Sequence, residues 1–236
     1  MKKHATLIVS IISLFLSPSC GKKSSHTQTC QIVTIQDGNG SSTTTYTITY
    51  NNQGKISTEQ YTQGGTAYSK VFTYNGNTEI MTTSANGGSA VDSMIINSNG
   101  LIESDYFSYP GTDALTTYTY SGTELQKAVQ VVNGGVPLTT TYTWSGGDVV
   151  GSSDGVNSVS FTYNSKGSVA GDYWSIIQLV NYGAYFVKSA HQLAAYQAGS
   201  NLENISYSYD GSGKITGVTG TVGSSVETIS YEYACN

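Results

Sequence analysis

The sequence has no arginine and few charged residues of any kind. Only 11% of its 236 residues are charged, all ten basic residues are lysines, and the formal net charge is -5. Binding to DNA or RNA requires clustered cations that neutralise phosphates, so the composition excludes nucleic acid as a partner. Because 38% of the residues are hydrophobic, the chain does not have the composition of a disordered protein, and a folded domain is expected.

Residues that commonly carry catalysis or bind metals are also scarce. Of three histidines, His4 and His26 lie near the amino terminus, which leaves His191 alone in the main part of the chain. Cys/His metal sites are therefore excluded, and no cofactor is expected. Glu103 and Asp105 are two residues apart, so on a strand both would point to one face and could form a carboxylate pair. We expect a protein that is not an enzyme, with a hydrolase of envelope polysaccharide as the exception left open.

The only long apolar run is at the amino terminus. It covers residues 5–16, follows Lys2 and Lys3, and is too short for a transmembrane helix, which needs about 20 residues. Together with the small residues before Cys20, this pattern predicts a signal peptide over residues 1–19. The segment ending at Cys20 resembles the bacterial lipobox, in which the cysteine becomes acylated, and a plainly secreted protein is the alternative.

The segment after the signal peptide predicts how the protein is attached to the membrane. Residues 20–29 contain no apolar side chain after Cys20 and predict a flexible tether between the lipid anchor and a single domain over residues 30–236. No Asp follows Cys20, which resembles lipoproteins sorted to the outer membrane. An acidic export tag is absent too, which favours the periplasmic face over the cell surface.

Two further cysteines stand at the two ends of the predicted domain. Cys30 is its first residue and Cys235 its penultimate one. In an oxidising compartment this placement predicts a disulfide that stabilises the fold by roughly 4 to 5 kcal/mol, with two unpaired cysteines as the alternative. If the bridge forms, the first and last strands are neighbours.

Aromatic residues are abundant and recur with a period. The chain has 19 Tyr, 5 Phe and 2 Trp, and many of them belong to a unit of aromatic, polar, aromatic, turn and apolar residues, as in 46–56. Each unit holds two alternating runs separated by a turn cluster, which is typical of a β-hairpin. The second aromatic position recurs about every 24 residues, with one double gap. It is occupied by Tyr50, Tyr74, Ile96, Tyr120, Trp144, Tyr163, Tyr209 and Tyr233.

Eight such units predict an all-β fold. We expect an antiparallel meander of about 14 to 16 strands, curled into a barrel or half-barrel, with the Thr-rich face solvated and the aromatic face inward. A transmembrane barrel is the competing interpretation. It is disfavoured because the predicted strands of about eight residues are shorter than the 9 to 11 needed and lack a sustained lipid-facing surface. Whether the interior is filled or hollow stays open.

Residues 173–197 do not follow the hairpin pattern. Their apolar residues recur at spacings of three and four, which predicts one or two short helices against the concave face or mouth of the sheet. Strand pairs are the alternative, and His191 lies in this segment. Its large aromatic residues are the candidate ligand-binding residues, namely Trp174, Tyr182, Tyr185 and Phe186.

Two resemblances add to this interpretation. Residues 209–215 resemble the YD repeat of Rhs-type shell proteins. The whole arrangement resembles an uncharacterised family of lipoproteins from Bacteroides-type bacteria, on the lipobox, the early cysteine, the Tyr-x-Tyr units followed by Gly-Lys-Ile, and an apolar insert ending at residues 200–205. Glu203 departs from the Pro of that last segment. The family resemblance implies a porin-like or half-barrel β fold and supplies no catalytic residues.

Together these features predict a lipid-anchored envelope protein, expected to be a monomer. The first functional hypothesis is non-catalytic binding of an apolar or amphiphilic ligand inside the curled sheet. The alternative is a structural or interaction lipoprotein whose Thr and Tyr surface contacts glycan or another envelope protein.

Overall fold

The computed structural model describes residues 30–39 and 42–235, which form sixteen strands and one helix. The predicted signal peptide (1–19), Cys20 and the tether (20–29) lie outside the described residues. The elements are β1 (Cys30–Asn39), β2 (Ser42–Tyr50), β3 (Ile56–Gln63), β4 (Thr66–Asn75), β5 (Thr78–Ala85), β6 (Gly88–Ile96), β7 (Ile102–Tyr109), β8 (Thr112–Ser121), β9 (Glu124–Val132), β10 (Leu138–Ser145), β11 (Asp148–Ser153), β12 (Ser158–Gly167), α1 (Tyr173–Tyr182), β13 (His191–Ala198), β14 (Asn201–Tyr209), β15 (Ile215–Val222) and β16 (Ser225–Cys235).

The strands form one closed barrel. Each strand pairs antiparallel with its neighbours in chain order, and β16 returns to pair with β1. The predicted all-β meander is confirmed, and the half-barrel alternative does not hold because none of the sixteen described strands is left at an edge. Cys30 and Cys235 are register partners at this closing pair and are joined by a disulfide across 205 residues, as predicted.

The pleat gives the wall two chemically different faces. On β2, Thr43, Thr45, Thr47 and Thr49 are exposed to solvent, whereas the alternate residues, such as the buried Ile48, point into the lumen. The same alternation continues around the barrel because side chains on a strand point to opposite faces in turn. The outer wall is therefore rich in hydroxyl groups, and the lumen is aromatic and aliphatic.

The two ends of the barrel differ. At one end lie the turns 51–55, 76–77, 97–101, 122–123, 146–147 and 210–214, together with the first and last described residues, Cys30 and Cys235; we call this the plugged end. At the open end lie tight hairpins, of which Asn86-Gly87 is an example. Both of these residues have positive φ, 48° and 79°, as a two-residue type I′ turn requires.

The recurring second aromatic residue has a structural role at the plugged end. Tyr50 illustrates it: a bulge precedes Tyr50 in its pairing with β3, and its hydroxyl donates a hydrogen bond to the Ile32 carbonyl at 2.6 Å. Bulges increase local twist, which favours closure of the sheet. Equivalent bonds link Tyr74 to Ile56, Tyr120 to Ile102, Tyr233 to Ile215 and the Trp144 indole to Leu125, at 2.6 to 2.8 Å.

The long connection between β12 and β13 enters the lumen. Residues 168–190, which we call the plug, contain α1. The Asp172 side chain caps the helix by accepting a hydrogen bond from the Ser175 amide at 2.8 Å, and Gly183 ends it at φ 70°. Among residues 30–39 and 42–235, no helix is long and apolar enough to cross a membrane.

The helical prediction for 173–197 holds only for its first half. Residues 191–198 form β13, so the strand alternative is correct there, and the helical spacing around His191 does not mark a second helix. The reason is that Gln192, Leu193 and Ala195 are all buried and the pairing with β12 is irregular, which breaks the strict alternation of a strand. An irregular strand with this burial imitates the helical spacing of apolar residues.

The plug fills the section of the lumen in which it lies. Ile176 on α1 belongs to one hydrophobic cluster with aliphatic and aromatic side chains from strands on all sides of the barrel. A second, smaller cluster surrounds Val187, where the plug returns to the wall. The buried hydrophobic residues of the two clusters are Ile32, Ile35, Ile48, Ile56, Phe72, Met81, Met94, Ile102, Leu125, Val149, Ile176, Ala184, Val187, Leu193, Ile205, Ile215, Val218 and Tyr231.

Candidate ligand-binding site

A cavity of about 580 Å³ lies at the plugged end, between the plug and the wall formed by β1 to β6. This volume is within the range of small-molecule pockets, about 300 to 1,000 Å³. Most of the lining is apolar or aromatic, with Leu179 and Ala184 contributed by the plug. The wall contributes Ile32, Ile56, Ile96, Tyr50, Tyr74 and Tyr233.

Hydrogen bonds fix the aromatic walls of this pocket. The hydroxyls of Tyr50, Tyr74 and Tyr233 all donate to backbone carbonyls, so their rings are held in place as surfaces for a ligand. These residues and Ile96 occupy the recurring second aromatic position. Four of its eight members therefore line the pocket, and the period itself was the sequence signal for them.

Three lysine ammonium groups lie beside tyrosine rings that line the pocket, which places them at its rim. Lys55 Nζ lies 4.5 Å from the centre of the Tyr74 ring, and Lys214 Nζ lies 5.0 Å from that of Tyr233. Lys188 Nζ lies 5.5 Å from the centre of the Tyr185 ring. Such cation–π contacts hold the long side chains against the rim while their charges stay near water.

One carboxyl group faces this largely apolar pocket. Glu79 on β5 is 5% exposed, and its buried Oε1 has no hydrogen-bond partner among the described residues. Burial raises the pKa of Glu79 to about 7, while Lys55 and the Tyr74 hydroxyl act to lower it. The carboxyl is therefore partly protonated near neutral pH.

Gly183 allows the plug to approach the wall beside Glu79. A Cβ at this position would lie 2.6 Å from Phe72 Cε1 and 2.9 Å from Glu79 Oε1. The residue also has φ 70°, which favours glycine. A side chain here is excluded both by space and by backbone conformation, so Gly183 is required for the inner end of the pocket.

The four candidate ligand-binding residues are not all at the cavity. Tyr185 lines it. Trp174 packs on Phe161 with ring centres 5.3 Å apart, and Phe186 contacts the Tyr182 ring edge-on at 5.6 Å. The structure thus places Trp174, Tyr182 and Phe186 in the packed interior between the plug and the wall.

The lumen beside the carboxyl end of α1 is acidic. Lys70 Nζ lies 3.0 Å from Glu59 Oε1, and both side chains are buried. The same ammonium donates to the Val180 carbonyl in the last turn of α1, where it offsets the negative end of the helix dipole. Burial raises the pKa of Glu59, and the nearby Lys70 opposes this rise.

Two more carboxyls lie near this pair on β6 and β7. Asp92 is 8% exposed and Asp105 is 7% exposed, and Oδ1 of Asp105 has no hydrogen-bond partner among the described residues. Burial raises the pKa of Asp92 to about 6, an effect that Lys70 opposes. Burial and then repulsion from Asp92 raise the pKa of Asp105 to about 7.

The expectation that Glu103 and Asp105 share one strand face is wrong. The pairing of β6 with β7 shifts register between Ile102 and Ser104, so a bulge contains Glu103. Glu103 is exposed, whereas Asp105 is buried in the lumen. A bulge adds one residue to the strand and thereby separates two side chains that regular alternation would align.

His191 contacts one carboxylate. Its Nδ1 lies 2.8 Å from Asp148 Oδ2, and its backbone amide donates to Asp148 Oδ1 at 2.8 Å. Asp148 therefore fixes the point where the plug joins β13. In the described part of the chain, no three His, Cys, Asp or Glu side chains are grouped as a metal site would require.

These features define a class of protein: a closed antiparallel barrel of sixteen strands with a helical plug and a largely apolar pocket beside that plug. Solved structures share this fold. A porin-like protein from Bacteroides uniformis is 14% identical with a TM-score of 0.63, and the match covers 86% of this chain and 96% of that one. A porin-like protein from Bacteroides vulgatus is 13% identical with a TM-score of 0.57, covering 86% and 98%.

The similarity extends over nearly the whole of both relatives and shows the fold. It confirms the predicted resemblance to porin-like proteins of Bacteroides at the level of fold, whereas the resemblance to YD repeats gains no support. No protein-family model matches the chain, and no curated protein matches it.

Proposed function

We propose that this protein is a lipid-anchored envelope barrel that binds an apolar or amphiphilic molecule in the pocket at the plugged end, without catalysis. The observation that carries the proposal is the 580 Å³ cavity with apolar walls beside a packed plug. Burying an acyl chain there would contribute about 0.8 kcal/mol for each methylene removed from water. The rigid tyrosine rings add flat surfaces that suit such a chain.

The position of Cys30 supports a pocket that faces the membrane. Cys30, the first described residue, lines the pocket and lies only ten positions after the predicted acylation site at Cys20. Ten extended residues span at most about 35 Å, so the pocket would stay close to the bilayer. Lys55, Lys188 and Lys214 at the same end would be attracted to anionic lipid head groups.

The anchor itself can be tested by metabolic labelling. Cells producing the full chain and fed radioactive palmitate should yield a labelled protein in the outer membrane fraction. The Cys20→Ser variant should carry no label and should leave that fraction. Equal labelling of both chains would show that Cys20 is not the acylated residue.

A second candidate function is contact with glycan or another envelope protein through the outer wall. Tyr106 and Leu115 are opposite one another on β7 and β8, and they are 45% and 43% exposed. Exposed apolar side chains within a hydroxyl-rich wall favour an interaction surface. This function would not use the pocket, so changes in the pocket separate the two candidates.

Filling the pocket tests the first function. Ala170 lines the cavity and is exposed, so Ala170→Trp would occupy the cavity without disturbing the core. We expect the chain from Gly21 to Asn236, which contains the whole barrel, to bind the apolar probe N-phenyl-1-naphthylamine with a rise in fluorescence. Ala170→Trp should weaken this binding at least about tenfold.

The matched control is Thr119→Trp, at an exposed position on the outer wall of β8 that lines no cavity found among the described residues. Its affinity for the probe should equal that of the unmodified chain. Equal affinity of all three chains would place the binding elsewhere. Absence of binding by the unmodified chain would contradict the proposed function and favour the outer-wall alternative.

A further inference from the structure

Glu79 breaks a pattern that the rest of the barrel follows. Each recurring second aromatic residue has a register partner on the next strand, and Glu79 is the partner of Tyr74. The partners at the other seven positions are all aliphatic. They are Ile56, Ile102, Leu125, Val149, Leu193, Ile215 and Ile32, opposite Tyr50, Ile96, Tyr120, Trp144, Tyr163, Tyr209 and Tyr233.

A buried Glu79 in place of an aliphatic residue lowers the stability of the barrel. A buried carboxyl without a partner loses its hydration, whereas an aliphatic residue at this position would pack as its seven equivalents do. The Tyr74 hydroxyl donates its proton to the Ile56 carbonyl at 2.8 Å, and Glu79 Oε1 has no hydrogen-bond partner among the described residues. Departures from a local rule are expected mainly at functional sites.

The surrounding charges restrict the head group that could approach Glu79. Lys55, which also lines the pocket, and the rim lysines Lys188 and Lys214 repel a cationic head group. The ionised Glu79 carboxylate repels an anionic one. An uncharged group that donates a hydrogen bond meets neither repulsion, and it can bond to the Glu79 carboxyl, which lines the pocket, in either protonation state.

We propose that Glu79 is the specificity residue of the pocket and accepts a hydrogen bond from the uncharged hydroxyl or amide head group of an amphiphile. This inference rests on the proposed function, because it concerns the same pocket. A hydrogen bond to an ionised or partly ionised carboxyl in an apolar site changes affinity by about tenfold or more. Discrimination among head groups is therefore large enough to measure.

The test compares three ligands that share one chain and differ in the head group. Monomyristoylglycerol, myristic acid and myristylamine are each used to displace N-phenyl-1-naphthylamine at about pH 8, where the head groups of the last two are charged. The unmodified chain should bind the glycerol ester at least about tenfold more tightly than the acid or the amine.

Two variants then show whether Glu79 causes this preference. Glu79→Leu installs the residue type found at the seven equivalent positions, so it should fold at least as stably and bind the three ligands within about threefold of one another. Glu79→Gln keeps a carbonyl acceptor and should keep binding of the ester while relieving the discrimination against the acid. Glu232→Gln, an exposed change on β16, should leave all three affinities unchanged.

The outcomes separate this inference from the proposed function. If the unmodified chain binds the probe but shows no head-group preference, or if Glu79→Leu keeps the preference, the inference is wrong and the binding function stands. Tightest binding of the amine would also overturn it, because that result requires an ion pair with Glu79. Failure of the probe and of all three ligands to bind would contradict the proposed function itself.

Discussion

Replacing both Cys30 and Cys235 with Ser is expected to lower the free energy of unfolding by roughly 5 kcal/mol. The disulfide closes a loop of 205 residues, and in the chain-entropy model the stabilisation grows with the logarithm of loop length. For a domain of this size, the same change corresponds to a fall in Tm of about 10 to 20 °C. The hydrogen bonds between β1 and β16 remain possible without the bridge, so the variant should still form the barrel at low temperature.

The measurement is urea unfolding of the chain from Gly21 to Asn236, followed by circular dichroism. Adding a reductant to the unmodified chain supplies the control, since it should reproduce the stability of the double variant, and the variant itself should not respond to the reductant. A loss below about 1 kcal/mol would mean that the unfolded chain gains little freedom when the bridge is removed.

Much of the wall could be predicted because it depends on local patterns. Alternation assigns the side chains of a strand such as β2 to two faces, and the tight turns separate successive strands. Closure is different, because it depends on the pairing of β1 with β16, which are far apart in sequence. The only sequence signal for that pairing was the placement of Cys30 and Cys235, which is why a half-barrel remained an alternative.

The plug shows where local patterns mislead. Apolar spacing correctly predicts its helix, which Asp172 and Gly183 cap in the structure. The residues after Gly183 are buried by the rest of the plug on one side and by neighbouring strands on the other. Apolar spacing in residues 184–198 therefore reflects tertiary contacts and not the period of a helix.

The candidate site was only partly predictable for a related reason. The predicted ligand-binding residues are the large aromatic residues of the insert, yet two of them, Trp174 and Phe186, fill the interior. Because a pocket is the space left between elements, its position depends on how the plug sits against the wall. Glu79 could be singled out only once the register showed that it replaces an aliphatic residue opposite Tyr74.

The buried carboxyls predict that the barrel becomes less stable as the pH rises. The folded-state pKa of Asp105 is raised from 3.8 to about 7, so between these values the folded chain holds a proton that the unfolded chain has released. Stability from this group is therefore greatest at low pH and is lost as the pH rises through about 4 to 7. Asp92 and Glu79, whose pKa values are raised to about 6 and about 7, act in the same direction.

Asp105→Asn isolates the largest of these effects. At about pH 8 the variant should be more stable than the unmodified chain by a few kcal/mol, because it no longer buries a charge beside Asp92, whereas at about pH 5 the two should nearly coincide. Urea unfolding at both pH values provides the measurement, and Glu232→Gln on the exposed outer wall should change neither value. If Asp105→Asn were instead destabilising at the higher pH, a positively charged partner would have to stabilise ionised Asp105. Lys70, which interacts with the neighbouring Asp92, is the candidate.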